Sequence, residues 1–352
     1  MKYVFYITNH GYGHASRNVP IIEELLNRDK SAEIYIKTDD LRVEFLKRNF
    51  KKNSNIRYYS DCKEVGLVLK EGTLTPDVEI MKIAIKNDVL KWPQYIEREE
   101  HFLRKIHADL VVSDVVCWAI VAAKKCGIKT LLIGNFTWAQ MYKSYYDIQI
   151  WKTYLDCYQL ADKAVWYEIH DLELEGYCRD YECVSMVSRP VDNCNVKKIK
   201  MQYGDNIIFV SLGASAEIKE TIDVSKMPFT FLITRGIDLY GDNVVKLPQD
   251  IINTPDYIAA SKYVIAKGGW STVAEIMLQN KKCALLFRGN NSEDNRTREF
   301  LKERNQCVAL MEEELKDIAS VINRIEMMEP LSYEIYRNDT IKICNIIQSM
   351  TS

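Results

Sequence analysis

Two short segments carry residue types and spacings that could do chemistry. The first is Asn9-His10-Gly11-Tyr12-Gly13-His14-Ala15-Ser16-Arg17, which holds two of the chain's five histidines. Histidine is the natural general base near neutral pH, so either imidazole could take a proton from an attacking hydroxyl. His14 stands where a helix begins, so it is a candidate base or a candidate helix cap. His10 can meet an acceptor, bind phosphate or shape the loop. Gly11 and Gly13 give the turn its freedom. Arg17, one helical turn on, can pair with a phosphate or an acidic acceptor, or lie on the surface. A dinucleotide fingerprint fails here, because Ser16 stands where the third glycine belongs. The sequence contains no P-loop.

The second segment is Lys267-Gly268-Gly269-Trp270-Ser271-Thr272-Val273-Ala274-Glu275. It follows an apolar run and opens a helical pattern. Gly268 and Gly269 permit close approach of backbone to a ligand. Ser271 or Thr272 can cap the helix and offer a hydroxyl to an oxyanion. The N–H groups and the positive end of the helix dipole suit a diphosphate. Glu275 falls one turn beyond Ser271, where a carboxylate can accept both hydroxyls of a ribose. About twenty residues on comes Arg288-Gly289-Asn290-Asn291-Ser292-Glu293-Asp294-Asn295-Arg296. Glu293, Asp294 and Asn295 there suit sugar hydroxyls, and Asp294 can equally cap the next helix.

These segments need elements to position them. Residues 3–8 form a continuous apolar, β-rich run, as in a strand buried on both faces of a parallel sheet. A helix follows over 15–27, with apolar residues at Val19, Ile22, Leu25 and Leu26. Further strands are expected at 33–37, 56–59, 109–113 and 129–133, a helix over 78–107 broken near Pro93, and another over 115–125. Asp114 ends the 109–113 strand. A second strand–helix series starts at 207, with strands near 229–234, 244–247, 263–266 and 283–287 and helices at 271–279 and 296–303. Such alternation predicts an α/β fold of two Rossmann-like, doubly wound domains. Residues 1–190 form the first and 191–330 the second; Ser188-Arg189-Pro190-Val191 and the polar stretch to Gly204 read as linker. A last helical stretch, 331–352, is expected to pack back on the first domain. The aromatic-rich stretch 139–160 reads as a helix packing rings into the core, with a sugar-stacking wall as the sharper alternative.

A strand, Gly-Gly-x-x-Thr-x-x-Glu, a strand, then an acidic and amide loop resembles the nucleotide-sugar site of GT-B glycosyltransferases. It is similar to the N-acetylglucosaminyltransferase of peptidoglycan synthesis and to the glycosyltransferase-like half of L-arabinokinase. The resemblance implies two domains facing a cleft. It implies that Gly268, Gly269, Ser271 and Thr272 hold a diphosphate, Glu275 the ribose, and Glu293, Asp294 and Asn295 the donor sugar. Many members have Gln where this chain has Asn295. His14 matches the Gly-His position that serves as base in several members, and Asp114 the carboxylate that orients it. Gly213 and Ala214, after the strand at 207, match a loop near the phosphates, and Arg235 follows another such strand. The implied activity is hexosyl or N-acetylhexosaminyl transfer from a nucleoside diphosphate sugar, with a UDP-sugar favoured. The acceptor would be a small molecule, a glycan or a lipid-linked hydroxyl or amine. Inversion is expected, and no cofactor.

Composition bounds the rest. The 352 residues carry 47 basic and 49 acidic side chains, a balance that argues against a nucleic-acid binder. The ten cysteines show neither zinc spacing nor a disulfide framework, as in a reduced, cytoplasmic protein. The apolar run at the start is too short for a signal peptide, and no stretch of about 18 apolar residues occurs. Peripheral membrane contact stays open. Asp39-Asp40 is the nearest approach to an Asp-x-Asp metal motif, so no metal is expected. A nucleotide-sugar hydrolase or epimerase, a dehydrogenase on the first loop and a non-catalytic sugar-nucleotide module are the rival readings.

Overall fold

The computed structural model describes residues 1–51, 53–71, 75–213, 221–234, 236–248, 251–289, 291–330 and 336–351. The chain divides into two compact units. One comprises residues 1–69, 76–187 and 338–352; the other comprises 70–75 and 188–337.

In the first unit the strands are β1 (Lys2–Ile7), β2 (Glu33–Lys37), β3 (Ile56–Tyr59), β4 (Leu110–Asp114), β5 (Lys129–Gly134), β6 (Lys163–Tyr167) and β7 (Tyr181–Val184). They form one parallel sheet in the order β3-β2-β1-β4-β5-β6-β7. β1 and β4 are buried along nearly their whole length, because helices cover both faces of the sheet. The helices are α1 (Gly13–Arg28), α2 (Asp40–Phe50), α3 (Val78–Val89), α4 (Trp92–Ile106), α5 (Cys117–Lys125), α6 (Trp138–Lys143) and α7 (Ile148–Tyr158). The long helix expected over 78–107 is two helices. Pro93 lies in the first turn of α4, where its missing N–H removes no intrahelical bond. Trp138, Tyr142, Tyr154 and Tyr158 are buried in the core with Trp118 and Trp166, so the aromatic-rich stretch packs inward.

The second unit begins with α8 (Asn193–Tyr203), capped by the Asp192 side chain. The polar stretch read as linker is therefore largely helix. Its strands are β8 (Ile207–Ser211), β9 (Thr221–Asp223), β10 (Thr230–Ile233), β11 (Asp238–Tyr240), β12 (Val244–Lys246), β13 (Tyr263–Lys267), β14 (Lys282–Leu286) and β15 (Val308–Leu310). Six of them make a parallel sheet in the order β12-β10-β8-β13-β14-β15, and β11 pairs with β9. The helices are α9 (Thr254–Ala260), α10 (Trp270–Leu278), α11 (Ser292–Glu303) and α12 (Ile318–Met327). A final helix, α13 (Thr340–Thr351), belongs to the first unit and packs on α1. Its start lies beyond the sequence expectation, and residues 331–335 lie outside the described residues.

In both sheets the strand order reverses beside the first strand of the unit, between β1 and β4 and between β8 and β13. Ligands of open α/β sheets bind at such reversals, outside the carboxyl ends of the strands. The two chemically rich segments both leave a sheet at these points.

Candidate functional site

In the first unit, β1 and β4 pair in register up to Ile7 and Asp114. The loop after β1 therefore passes over the end of β4. His14, in the first turn of α1, places Nδ1 2.8 Å from Asp114 Oδ1. Arg17 grips the same carboxylate from one turn further on, with Nε 2.8 Å from Oδ2 and an Nη 2.5 Å from Oδ1. Its other Nη donates to Asn135 Oδ1 at 2.7 Å, from the end of β5. Asn18 adds a donor to Asp114 Oδ2 at 2.6 Å. Burial alone would raise the Asp114 pKa, yet the charge of Arg17, then His14, carries it down to about 2. Asp114 is thus a fixed anion. Arg17, read as a contact for phosphate or acceptor, is instead 2% exposed, with its guanidinium over the Tyr167 ring.

Val115, the residue after Asp114, adopts φ +71, a costly conformation for a β-branched residue. Such strain is of order 1–3 kcal/mol and persists only where the surroundings impose it. Here Tyr158 donates to the Val115 carbonyl at 2.6 Å and Ser113 to the Val116 carbonyl at 2.7 Å. The strained turn ends β4 abruptly and leaves the Asp114 carboxylate at its tip.

His10 packs among aromatic rings beside this network. It stands edge-on to Trp138, while His14 stands edge-on to Phe136, and Phe136 and Trp138 touch each other. His10 also lies over Gly66, whose φ is +64 and where any Cβ would meet the imidazole. Beneath lies Glu64, with Oε2 accepting from Trp138 Nε1 at 3.1 Å and its backbone N–H donating to Asn9 Oδ1 at 2.8 Å. Burial raises Glu64 to about 8. Gly11 is exposed, and Gly13 is partly buried as the first residue of α1.

In the second unit, β13 ends at Lys267 and Gly269 is the N-cap of α10, with no side-chain cap bond. Ser271 and Thr272 are therefore first-turn residues, not caps as the sequence suggested. Gly268 is required by packing, since a Cβ would strike the Phe287 ring, whereas Gly269 faces open space. Burial, then the neighbouring Arg288 charge, push the Lys267 ammonium down to about 8. Glu275 is 5% exposed. Its oxygens accept from Arg189 at 2.9 Å and Thr254 at 3.1 Å. Arg189 also donates to the Ile252 carbonyl. A carboxylate has about four lone-pair directions, so a ribose diol could still be accepted.

The polar segment after β14 starts a helix earlier than expected. Asn291 caps α11 by accepting from the Asp294 N–H at 3.0 Å, so Glu293, Asp294 and Asn295 are helical. Asp294 is fully buried and receives the backbone N–H, Nε and an Nη of Arg288 at 2.8, 2.9 and 2.6 Å. Glu293 lies 3.9 Å from the Arg288 guanidinium, and Asn295 accepts from Arg298 at 3.1 Å. Gly213 follows β8 with φ +74. Ala214 and Arg235 lie outside the described residues.

The structure thus joins His14, Asp114 and Arg17 in one unit, and Lys267 through Glu275 with the start of α11 in the other. Asn18, Glu64, Asn135, Arg189, Thr254 and Arg288 were not singled out. Asn135 and Arg288 had a signal, standing within two residues of a strand's carboxyl end. Asp39 caps α2 and pairs with Arg42 at 2.9 Å, an ordinary helix start.

No family model matches the chain. It is 26% identical over 294 residues, 79% of its length, to L-arabinokinase of Arabidopsis thaliana, and spans 27% of that relative. Among solved structures it resembles CalG4, the calicheamicin glycosyltransferase, at TM-score 0.65 and 14% identity over 99% of this chain and 98% of that one. It resembles Arabidopsis thaliana UGT89C1 complexed with UDP at TM-score 0.64 and 10% identity over 100% of both chains. A UDP-glucose:anthocyanidin 3-O-glucosyltransferase in complex with UDP follows at 0.60 and 10% identity, over 99% of this chain and 94% of that one. The fold is that of the GT-B glycosyltransferases, with two Rossmann-like domains.

Proposed function

We propose that this chain is a glycosyltransferase that moves a sugar from a nucleoside diphosphate sugar to a hydroxyl or amine. The observation that carries the reading is His14 held on a permanently ionised Asp114 at the strand-order reversal of the first unit. With Nδ1–H donated to Asp114, Nε2 is the nitrogen without a hydrogen. It takes the acceptor's proton as the acceptor oxygen or nitrogen bonds to the anomeric carbon and the bond to the diphosphate breaks. One displacement inverts that carbon. Asp114 fixes the tautomer and stabilises the imidazolium.

The second unit takes the donor. First-turn N–H groups of α10 meet the leaving diphosphate, as helix N-termini do, supported by the Lys267 and Arg288 charges. Glu275 receives the ribose, and Glu293 and Asn295 contact the sugar. A UDP-sugar is the favoured donor. No divalent ion is required at the diphosphate, so adding Mg²⁺ or Mn²⁺ leaves the initial rate unchanged. Among the described residues no helix is long and apolar enough to cross a membrane, and the ten free cysteines suit a reducing compartment.

A thermal-shift screen of nucleoside diphosphate sugars identifies the donor, since a ligand of the folded state raises the melting temperature. Turnover is then measured with acceptors present and absent. His14→Ala should keep donor affinity and lose about 10²–10⁴-fold in turnover, the usual worth of a general base. Full turnover in that variant, or retention at the anomeric carbon by NMR, overturns the mechanism.

One observation favours a second reading, a sugar-nucleotide module without turnover. Arg17 holds both oxygens of Asp114 and stands 2.9 Å from His14 Nδ1. Were Nδ1 to accept from Arg17, Nε2 would carry the proton and His14 would be a donor, not a base. Donor binding with no diphosphate release under any acceptor would establish that reading.

A further inference from the structure

We infer that His170, Glu175 and Cys183 form a zinc site at the carboxyl end of β6, apart from the residues assigned to transfer. One donor atom from each converges on a common point, all lying within 4.8 Å of one another. His170 Nε2 is 3.2 Å from Glu175 Oε1, and Cys183 Sγ is 3.9 Å from each. Metal–ligand lengths of about 2.0–2.2 Å for N and O and about 2.3 Å for S, at tetrahedral angles, put ligand atoms roughly 3.4–3.6 Å apart. The observed triangle differs from that by a few tenths of an ångström. Two separations of 3.9 Å are long for a thiol hydrogen bond but fit two edges of a coordination polyhedron.

The outer contacts point the same way. His170 Nδ1 is 2.9 Å from the Tyr167 carbonyl, which can only accept, so Nδ1 carries hydrogen. Nε2 then faces Glu175 Oε1 across 3.2 Å. Two lone pairs 3.2 Å apart repel unless a proton or a cation lies between them. Tyr181 donates to the other Glu175 oxygen at 2.7 Å and so turns Oε1 inward. A ligating His that donates through its second nitrogen, beside a hydrogen-bonded carboxylate, is the usual outer shell of a bound metal. The donor set of one thiolate, one imidazole and one carboxylate selects Zn²⁺ over Mg²⁺ or Ca²⁺. Binding displaces the Cys183 proton to solvent, and thiolate plus carboxylate balance the dication. The fourth position is left to water.

The three ligands bracket one excursion of the chain. His170 follows β6, Glu175 lies in a 3-10 turn (Leu172–Gly176), and Cys183 is in β7, the edge strand. Lys342 of α13 donates to the Cys183 carbonyl at 2.8 Å, and Ser185 to Asp339 at 2.7 Å. A metal here would fasten the sheet edge against which the last segment returns.

The test uses the full chain, freed of any tag, stripped with a chelator under reducing conditions and titrated with Co²⁺. A thiolate-to-cobalt charge-transfer band should appear in the near ultraviolet, saturate at one equivalent and vanish on adding Zn²⁺. Zn²⁺ should raise the melting temperature of the stripped protein. Cys183→Ser, at an exposed position, should abolish the band while leaving donor binding intact. Tyr181→Phe should keep the band but weaken affinity by about 10–100-fold. Absence of a band with excess Co²⁺, leaving His170 and Glu175 a plain ion pair, overturns the proposal. So does a band that survives both Cys183→Ser and Glu175→Gln, because another of the cysteines would then be its source.

Discussion

Glu64 shows how far burial can move one side chain. Its carboxyl is raised from the usual carboxylate range to about 8 by desolvation, with the Trp138 indole pulling part of the way back. A raised carboxylate pKa means the folded state binds more protons than the unfolded one between about pH 4.5 and 8. Stability is then fully present below that window and falls as pH rises through it, by several kcal/mol at about 1.4 kcal/mol per unit. Glu64→Gln cannot ionise. Its denaturation midpoint should stay flat from about pH 5 to 8 where the parent's declines, and it should be the more stable protein at the alkaline end. Urea titrations at three pH values would show this, and parallel curves for the two proteins would refute it. At this scale the sequence was legible where residue type is scarce or punctuates a strand, as with His14 and Asp114. It was opaque for Glu64, whose loop has no periodicity to declare which side chains turn inward. For Arg17 it gave the residue but not the direction, because a helix start is equally consistent with an outward or an inward guanidinium.

Elements are held together here by charge as well as by apolar contact. Lys37 of β2 is 1% exposed and its ammonium meets Glu99 of α4 at 2.5 Å, while Tyr6 of β1 donates to the same carboxylate oxygen at 2.7 Å. Asp61 gives Lys37 a second, more exposed partner at 3.1 Å, and the Phe102 ring lies 4.2 Å from its nitrogen. One buried pair therefore ties two strands to the helix above them. Breaking such a pair by removing one partner costs about 3–5 kcal/mol, since a charge stays buried without its counterion. Glu99→Gln should lose less than that in chemical denaturation, because Asp61 stays beside Lys37, and Lys37→Met together with Glu99→Leu should recover part of it. Equal losses in the single and double variants would count against this account. Most strands could be read from apolar runs because both faces of these sheets are covered. Helix starts were harder. α11 begins at Ser292, since Asn291 is its cap, and α8 hides in a polar stretch whose cap, Asp192, looks like linker chemistry.

For the whole molecule, the division into two α/β units follows from the renewed alternation of strands and helices after residue 204. Residues 338–352 belong with the first unit. Ile343, Cys344, Ile346, Ile347 and Met350 of α13 are buried there, and Arg28 of α1 bonds Asn345 and Gln348 at 2.7 and 2.9 Å. Each large aliphatic side chain so buried contributes roughly 1.5–3 kcal/mol. A chain ending at Arg337 should therefore lose the cooperative unfolding of the first unit while the second keeps its own transition. Calorimetry of the truncated protein would reveal one surviving peak, and two undiminished peaks would contradict the prediction.

The detour has a further consequence during synthesis. Nascent domains generally fold as units in the order they emerge, but here the sheet begun at β1 lacks a wall until α13, made after the second unit, has emerged. The second unit can be finished first. Until α13 leaves the ribosome, the α1 surface it will cover remains open to chaperones and to neighbouring nascent chains, so a frameshift just before α13 would disable the unit whose synthesis began earlier.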